Sequence, residues 1–313
     1  MRAVRFHTYG DPSVLRVEDV PQPQPTRDEV LIRVHASSLN NADMGARSGF
    51  SRFIHSRHMP MIPGYDVAGE VVGCGPSVTA FVPGDRVFAL TGLSASGQAE
   101  YVCIAQSKLA RAPQGISLAA AAAVPLAGLT ALQALRGKAH AQAEQRVLIN
   151  GAAGGVGSFG VQIAKALGCT VTAVCSGAKR DVVAAIGADE VIDYKQTDFT
   201  TGFQHWDVVF DAAGNRSFRD VWRVLTPNGA MVAARGMPES LLPAVLGAVG
   251  IGPRYTFLIT KASGQDLALL ANLIDEGKIK PLVDRMFPMD QIQNAHRYFE
   301  AGKTRGKVVV EIG

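Results

Sequence analysis

Cysteine is scarce. Only Cys74, Cys103, Cys169 and Cys175 occur in 313 residues, and no two stand in a Cys-x-x-Cys pair. This excludes the common zinc-ribbon and thioredoxin-type motifs. In a chain of this size it reads as buried thiols without disulfides, in a reducing, cytoplasmic compartment. Long apolar runs are also lacking. Leu118 to Leu135 is nearly free of charge, but Pro125, Gly128, Thr130 and Gln133 interrupt it, and Leu241 to Gly252 is too short to span a bilayer. The latter reads instead as an apolar wall or a subunit contact. No block of like charge is present: the formal net charge is +4 and the basic residues are scattered. Charge alone therefore argues for neither nucleic acid nor an anionic membrane as a partner. Met1 to Arg5 carries no apolar signal segment and begins directly in strand-like sequence.

What is present is a globular composition, 47% hydrophobic, with 33 glycines. The length suffices for two domains. Residues 30–36, 67–72 and 86–90 are short β-branched runs, separated by turn clusters at Pro21 to Pro25, Gly73 to Pro76 and Pro83 to Asp85. They predict a compact, irregular β-rich barrel over the first 117 residues. From Leu118 the pattern alternates: helix 118–136, strand 146–150, helix 156–167, strand 170–175, helix 178–186, then strands at 190–192 and 206–211. Such alternation predicts an α/β doubly wound parallel sheet over 118–277. The tail 278–313, with a helix at Met289 to Ala301 and a strand at Lys307 to Ile312, is expected to rejoin the first domain.

The most informative stretch is Val147-Leu148-Ile149-Asn150-Gly151-Ala152-Ala153-Gly154-Gly155-Val156-Gly157, a short buried strand that breaks into a glycine-rich turn opening a helix. Glycines let backbone approach a pyrophosphate closely, and the helix start offers it N–H groups and partial positive charge. Ala152 stands where the usual G-x-G-x-x-G has its first glycine. The following strand ends in Cys175-Ser176-Gly177-Ala178-Lys179-Arg180, with no carboxylate to accept a ribose 2'-hydroxyl. Ser176 with Lys179 or Arg180 suits a 2'-phosphate, which predicts NADPH rather than NADH.

Six segments together resemble the zinc-free medium-chain dehydrogenases/reductases, specifically the quinone oxidoreductases related to zeta-crystallin. They are Ser38 to Asp43, Pro63 to Val72, Pro83 to Val87, Gly128 to Ala131, the glycine turn, and Gly306 to Val309. The resemblance spans the whole chain. It implies a GroES-like catalytic domain made from both chain ends with a Rossmann domain between. For the cofactor it implies contacts from Thr130, Ala152, Gly154, Gly155, Val156, Ser176, Lys179, Tyr194, Arg235, Gly236 and Phe257. It also implies a homodimer.

Zinc-dependent relatives draw ligands from positions that read here as Asn40-Asn41-Ala42-Asp43, Gly64-Tyr65-Asp66 and Leu126-Ala127-Gly128. None supplies cysteine or histidine, so no metal is expected. The chemistry left is hydride transfer from NADPH to a quinone or an activated enone. Asn40 is expected to orient the substrate or the nicotinamide through its amide, and Tyr65 to donate a hydrogen bond or proton to the reduced oxygen. Asp43 and Asp66 read as loop braces. Arg47 to His58, basic with interleaved aromatics, is either a solvated loop or a grip for an acidic acceptor. Competing readings are an enoyl-thioester or alkenal reductase, and a redox-inactive NADPH-binding protein.

Overall fold

The computed structural model describes residues 1–50, 59–92, 96–235 and 252–313. They divide into two compact units: Met1–Leu129 with Lys261–Glu276 and Pro281–Gly313, and Thr130–Thr260 with Gly277–Lys280. The first unit opens with β1 (Arg2–Arg5), β2 (Arg16–Asp19), β3 (Glu29–Ser38), α1 (Asn41–Ser48), β4 (Asp66–Cys74), β5 (Arg86–Leu90), β6 (Tyr101–Ala105), β7 (Leu109–Arg111) and α2 (Leu118–Ala122). After α3 (Pro125–Leu132), the second unit holds β8 (Arg146–Asn150), α4 (Gly155–Ala166), β9 (Thr170–Cys175), α5 (Arg180–Ala185), β10 (Glu190–Asp193), β11 (Trp206–Asp211), α6 (Phe218–Trp222), β12 (Leu225–Ala233) and β13 (Arg254–Phe257). The chain returns through α7 (Gly264–Asp275), β14 (Val283–Pro288), α8 (Ile292–Glu300) and β15 (Lys307–Glu311).

In the first unit a seven-stranded path runs β14-β15-β3-β4-β5-β7, with β6 added to β3. The long strand β3 is central because each stretch of it finds a partner. It pairs with β4 along nearly all its length, with β6 near its start and with β15 at its end. That register sets Ser38 opposite both Asp66 and Val309, so the first and last parts of the chain meet at one point. Val30, Ile32, Val34, Val67, Val71, Val87, Val308 and Val310 form the core beneath.

The second unit is a six-stranded sheet in the order β10-β9-β8-β11-β12-β13, parallel at every pairing. Val147, Leu148 and Ile149 of β8 are fully buried, as expected of a strand covered by helices on both faces. Helix α4 lies close against the sheet: a Cβ at Gly160 would stand 3.1 Å from the Phe210 ring. The strand order reverses between β8 and β11, the switch point at which doubly wound sheets bind ligands.

Two expected boundaries are corrected. The single helix over 118–136 is three pieces, α2, α3 and a π-helical stretch Gln133–Ala139. Pro125 brings no N–H to continue α2, and its fixed φ suits a new start. Helix α7, expected within the nucleotide domain, packs instead on the first unit. Its buried Leu270 lies against Gly128, Gly264 sits over the Leu109 carbonyl, and Asp275 accepts the N–H groups of Gln114 and Gly115 at 2.9 and 3.1 Å. The compact units accordingly break at 129/130, 260/261, 276/277 and 280/281, where the expected boundaries are 117/118 and 277/278.

Candidate active site

In the second unit the glycine turn follows β8 directly. Gly151 has φ +81°, a conformation glycine adopts at little cost, and a Cβ at Gly157 would lie 2.2 Å from the Gly151 carbonyl oxygen. The N–H groups of Gly151 and Ala152 both donate to Val174 O, at 3.1 and 3.0 Å, and that of Gly154 donates to Gly151 O. These donors are spent on the shape of the turn, so Ala152 and Gly154 contribute backbone form rather than free N–H groups. The donors left for an anion belong to the first turn of α4, over Gly155, Val156 and Gly157. No side chain caps them at Gly154. A Cβ at Gly154 would meet nothing nearer than 3.4 Å, and residues 154–156 are only half-buried. This cradle fits a dinucleotide pyrophosphate.

Beside it, Asn150 at the end of β8 donates through Nδ2 to Asp211 Oδ1 at 2.9 Å and to Asn215 Oδ1 at 2.8 Å. Asp211 Oδ1 also accepts the N–H groups of Ala213 and Gly214, while its Oδ2 is buried without a partner. The network ties the loops after β8 and β11 to each other on both sides of the switch point. The sequence signal for it is a polar residue directly after the apolar centre of each strand, Val147 to Ile149 and Val208 to Phe210.

Ser176, Lys179 and Tyr194 come together at the ends of β9 and β10, where Tyr194 donates its N–H to Cys175 O at 3.2 Å. Tyr194 is half-exposed, and Ser176 N-caps the short turn that carries Lys179. Burial pushes the Cys175 thiol upward, with Asp193 adding to the rise. One carboxylate escaped the sequence reading. Asp193, in register with Cys175, sets its Oδ2 where a Cβ on Gly177 would be only 2.5 Å away. The absence of an acid at the end of β9 therefore does not leave the region free of acid. Thr130 is buried and its Oγ1 lies 2.7 Å from Thr260 Oγ1. Arg235 is exposed after β12, and Phe257 ends β13. Gly236, residues 51–58 of the basic segment and 241–251 of the apolar run lie outside the described residues.

The first unit holds a buried polar network around Asn40, Asp43, Asp66 and Lys307. Asp66 Oδ2 accepts from Ser38 Oγ at 2.6 Å, Asn40 Nδ2 at 2.8 Å and Lys307 Nζ at 3.1 Å, while its Oδ1 accepts the Leu126 N–H at 2.7 Å. Lys307 donates also to Leu39 O at 3.0 Å and Asn40 Oδ1 at 2.5 Å. Asp43 takes the N–H groups of Asn40 and Gly64, both at 2.8 Å. Burial, and then the neighbouring Asp66, push the Asp43 carboxyl up from 3.8 to about 7. Tyr65 is buried between Gly64 and Asp66, both held by this network.

Two expectations change here. Asn40 was to donate its amide to a carbonyl, but its second amide hydrogen goes to Ser38 O at 3.3 Å, so both are engaged internally. Arg47, expected to begin a solvated or acceptor-gripping loop, is placed otherwise. It is buried, donates to Gly10 O at 2.6 Å and pairs with Glu300. Lys307 is the residue the sequence reading missed as a site member. Its signal was a lysine opening the apolar strand Val308-Val309-Val310. At the positions of the zinc ligands this donor set fits no zinc ion: it is an amide, a phenol and a carboxylate already held by an ammonium, where zinc prefers thiolate and imidazole. Among the described residues no three His, Cys, Asp or Glu side chains converge as a metal site.

A glycine-turn Rossmann unit joined to a strand-rich unit made from both chain ends defines a nicotinamide-dependent oxidoreductase. Residues 26–127 match the alcohol dehydrogenase GroES-like domain, and residues 186–310 match the family described as zinc-binding dehydrogenase. A chloroplast envelope quinone oxidoreductase homolog of Arabidopsis thaliana is 33% identical over 99% of this chain and 98% of its own length. An NADPH-dependent alkenal/one oxidoreductase of the same plant, also chloroplastic, is 35% identical over 99% of this chain and 79% of its own. Among solved structures, the quinone oxidoreductase from Coxiella burnetii superposes with a TM-score of 0.88 at 32% identity, covering 100% of this chain and 99% of that one. The chain belongs to the medium-chain dehydrogenase/reductase superfamily, in its zinc-free quinone oxidoreductase-type branch.

Proposed function

We propose that the protein takes hydride from NADPH and delivers it to a quinone or to the β-carbon of an activated enone. The glycine turn at the switch point, with Ser176, Lys179 and Tyr194 gathered beside it, carries this reading. The first turn of α4 holds the pyrophosphate, and Ser176, Lys179 and Tyr194 hold the adenosine 2'-phosphate. Thr130, Arg235, Gly236 and Phe257 complete the cofactor contacts, as the family resemblance implies. When bound, the nicotinamide supplies the hydride. The chain's own residues orient the acceptor and deliver a proton to the oxygen that gains charge. Tyr65 is the proposed donor of that proton or hydrogen bond, and Asn40 holds its surroundings rather than donating. Activated acceptors need little polarisation, which suits a site without a Lewis acid.

The relatives support this reading through the activities in their names, a quinone oxidoreductase in one case and an alkenal/one oxidoreductase in the other. The test follows NADPH consumption with benzoquinone, phenanthrenequinone, an alkenal and crotonyl-CoA in separate assays. Turnover with a quinone or the alkenal is expected. Turnover with crotonyl-CoA alone makes the protein an enoyl-thioester reductase, and tight NADPH binding with no turnover makes it a redox-inactive binding protein. The functional unit is a homodimer in this proposal, with β13, the edge strand of the six-stranded sheet, available for pairing; light scattering on the purified protein tests it. The four free cysteines suit the cytoplasm. No helix among the described residues is long and apolar enough to cross a membrane.

A further inference from the structure

Lys307 is 2% exposed, yet its ammonium is fully satisfied: three donors meet Leu39 O, Asn40 Oδ1 and Asp66 Oδ2. A buried ammonium lacking such partners is expelled or loses its proton, so this placement is specific. It also decides the orientation of a neighbour. An ammonium only donates, so the Asn40 atom facing it must be the carbonyl oxygen. Asp66 Oδ2 already accepts from Ser38 and Lys307, so the Asn40 atom facing it must be the NH₂ group. The amide is thus fixed from both ends. Asn40 in turn heads α1, where its N–H meets Asp43, and the other oxygen of Asp43 holds Gly64, the residue before Tyr65. Asp66, the residue after Tyr65, is gripped by Lys307 itself.

We propose that Lys307 is the positioning residue of the first unit: one buried ammonium fixes the orientation of Asn40 and, through Asp66, the placement of Tyr65. The catalytic consequence rests on the role given above to Tyr65; the orientation of Asn40 does not. The charge reaches Asn40 and Asp66 from the last strand of the chain.

The test uses Lys307→Met, close in shape and without charge, and Lys307→Met/Asp66→Asn, which removes both charges and protects against misfolding of the single variant. Three quantities are read: kcat with a quinone, the Kd for NADPH, and the side-chain amide signals of Asn40 by NMR, assigned through their loss in Asn40→Asp. In both variants kcat should fall about a hundredfold, the size expected of a misplacement near 1 Å. The Kd for NADPH should change less than about twofold, since every contact of Lys307 named here lies in the first unit. The double variant should regain the wild-type melting temperature without regaining kcat. The Asn40 amide signals should move toward free-amide positions and exchange faster. Wild-type kcat in the folded double variant, or unmoved Asn40 signals, overturns the proposal. If the wild-type protein reduces no acceptor, the reductase reading fails, and the NMR arm still decides the role of Lys307.

Discussion

In the second unit the cofactor turn is made of backbone: glycines, peptide N–H groups and a helix start, with side chains important for their absence. In the first unit the polar centre is made of buried side chains: the Asn40 amide, the Asp66 carboxylate and the Lys307 ammonium bonded to one another, with the Asp43 carboxyl tied to them through the Asn40 N–H. A backbone site leaves little room for added atoms at its closest approaches but carries little charge to balance. A side-chain site has room to exchange groups, yet each charge depends on the others. The two units should therefore respond to substitution in opposite ways.

The largest effect is expected at Gly157. Alanine usually stabilises a helix interior over glycine by about 1 kcal/mol. Here its Cβ would lie 2.2 Å from Gly151 O, and 2.8 Å from Ala152 Cα, both backbone atoms that cannot step aside. Gly157→Ala should cost on the order of 3 kcal/mol or more and abolish NADPH binding, read by urea unfolding and by cofactor fluorescence. A variant of wild-type stability would show that the turn is less tightly closed than described. Gly154→Ala sharpens the contrast. Its Cβ meets no atom within 3.4 Å and its φ is −83°, so the fold should survive. The added methyl fills the space a pyrophosphate approaches, and NADPH affinity should fall about tenfold with an unchanged melting temperature.

A smaller effect belongs to the cations and the acid at the ends of β9 and β10. Lys179→Ala should weaken NADPH by roughly tenfold, the range of one charge-assisted hydrogen bond, and NADH much less. Asp193→Asn should shift preference the other way, a few-fold toward NADPH, because it removes a negative charge beside Gly177. Equal losses of NADPH and NADH affinity on Lys179→Ala would remove that lysine from any 2'-phosphate site.

How far each half could be read from sequence follows from the same contrast. The turn of the second unit is contiguous: strand, glycines and helix lie within residues 146–166, so local pattern suffices. The network of the first unit is assembled from residues 38–43, 64–66, 126 and 307, with Lys307 and Asn40 separated by 267 positions. Only the register of β15 on β3 brings them together, and no periodicity carries that register. Ser176, Lys179 and Tyr194 can be proposed from sequence alone, whereas the nearness of Asp193 to Gly177 cannot, since it arises from parallel pairing of β9 with β10. The place of α7 was misjudged for the same reason: a helix pattern shows which face is apolar, not which unit covers it.

The test of charge dependence in the first unit is in its pH response. His296 on α8 is buried with neither ring nitrogen bonded, and burial first, then the Arg47 guanidinium, lower it from 6.5 to about 3. The unfolded chain takes up this proton below pH 6.5 and the folded chain refuses it until about 3, so the histidine's contribution is present above 6.5 and lost as pH falls. Asp43 acts in the opposite sense. Its folded value of about 7 exceeds the ordinary 3.8, so its contribution is full below 3.8 and lost as pH rises through 7. The two windows overlap and oppose, and each conceals the other in the wild-type profile. His296→Leu should separate them: the stability difference between variant and wild type, from urea midpoints, isolates the histidine and should shift progressively in the variant's favour from pH 6.5 down toward 3. A difference that stays constant across that range would mean that His296 protonates as readily in the folded chain as in the unfolded one, and that its environment is wetter than a buried, unbonded imidazole allows.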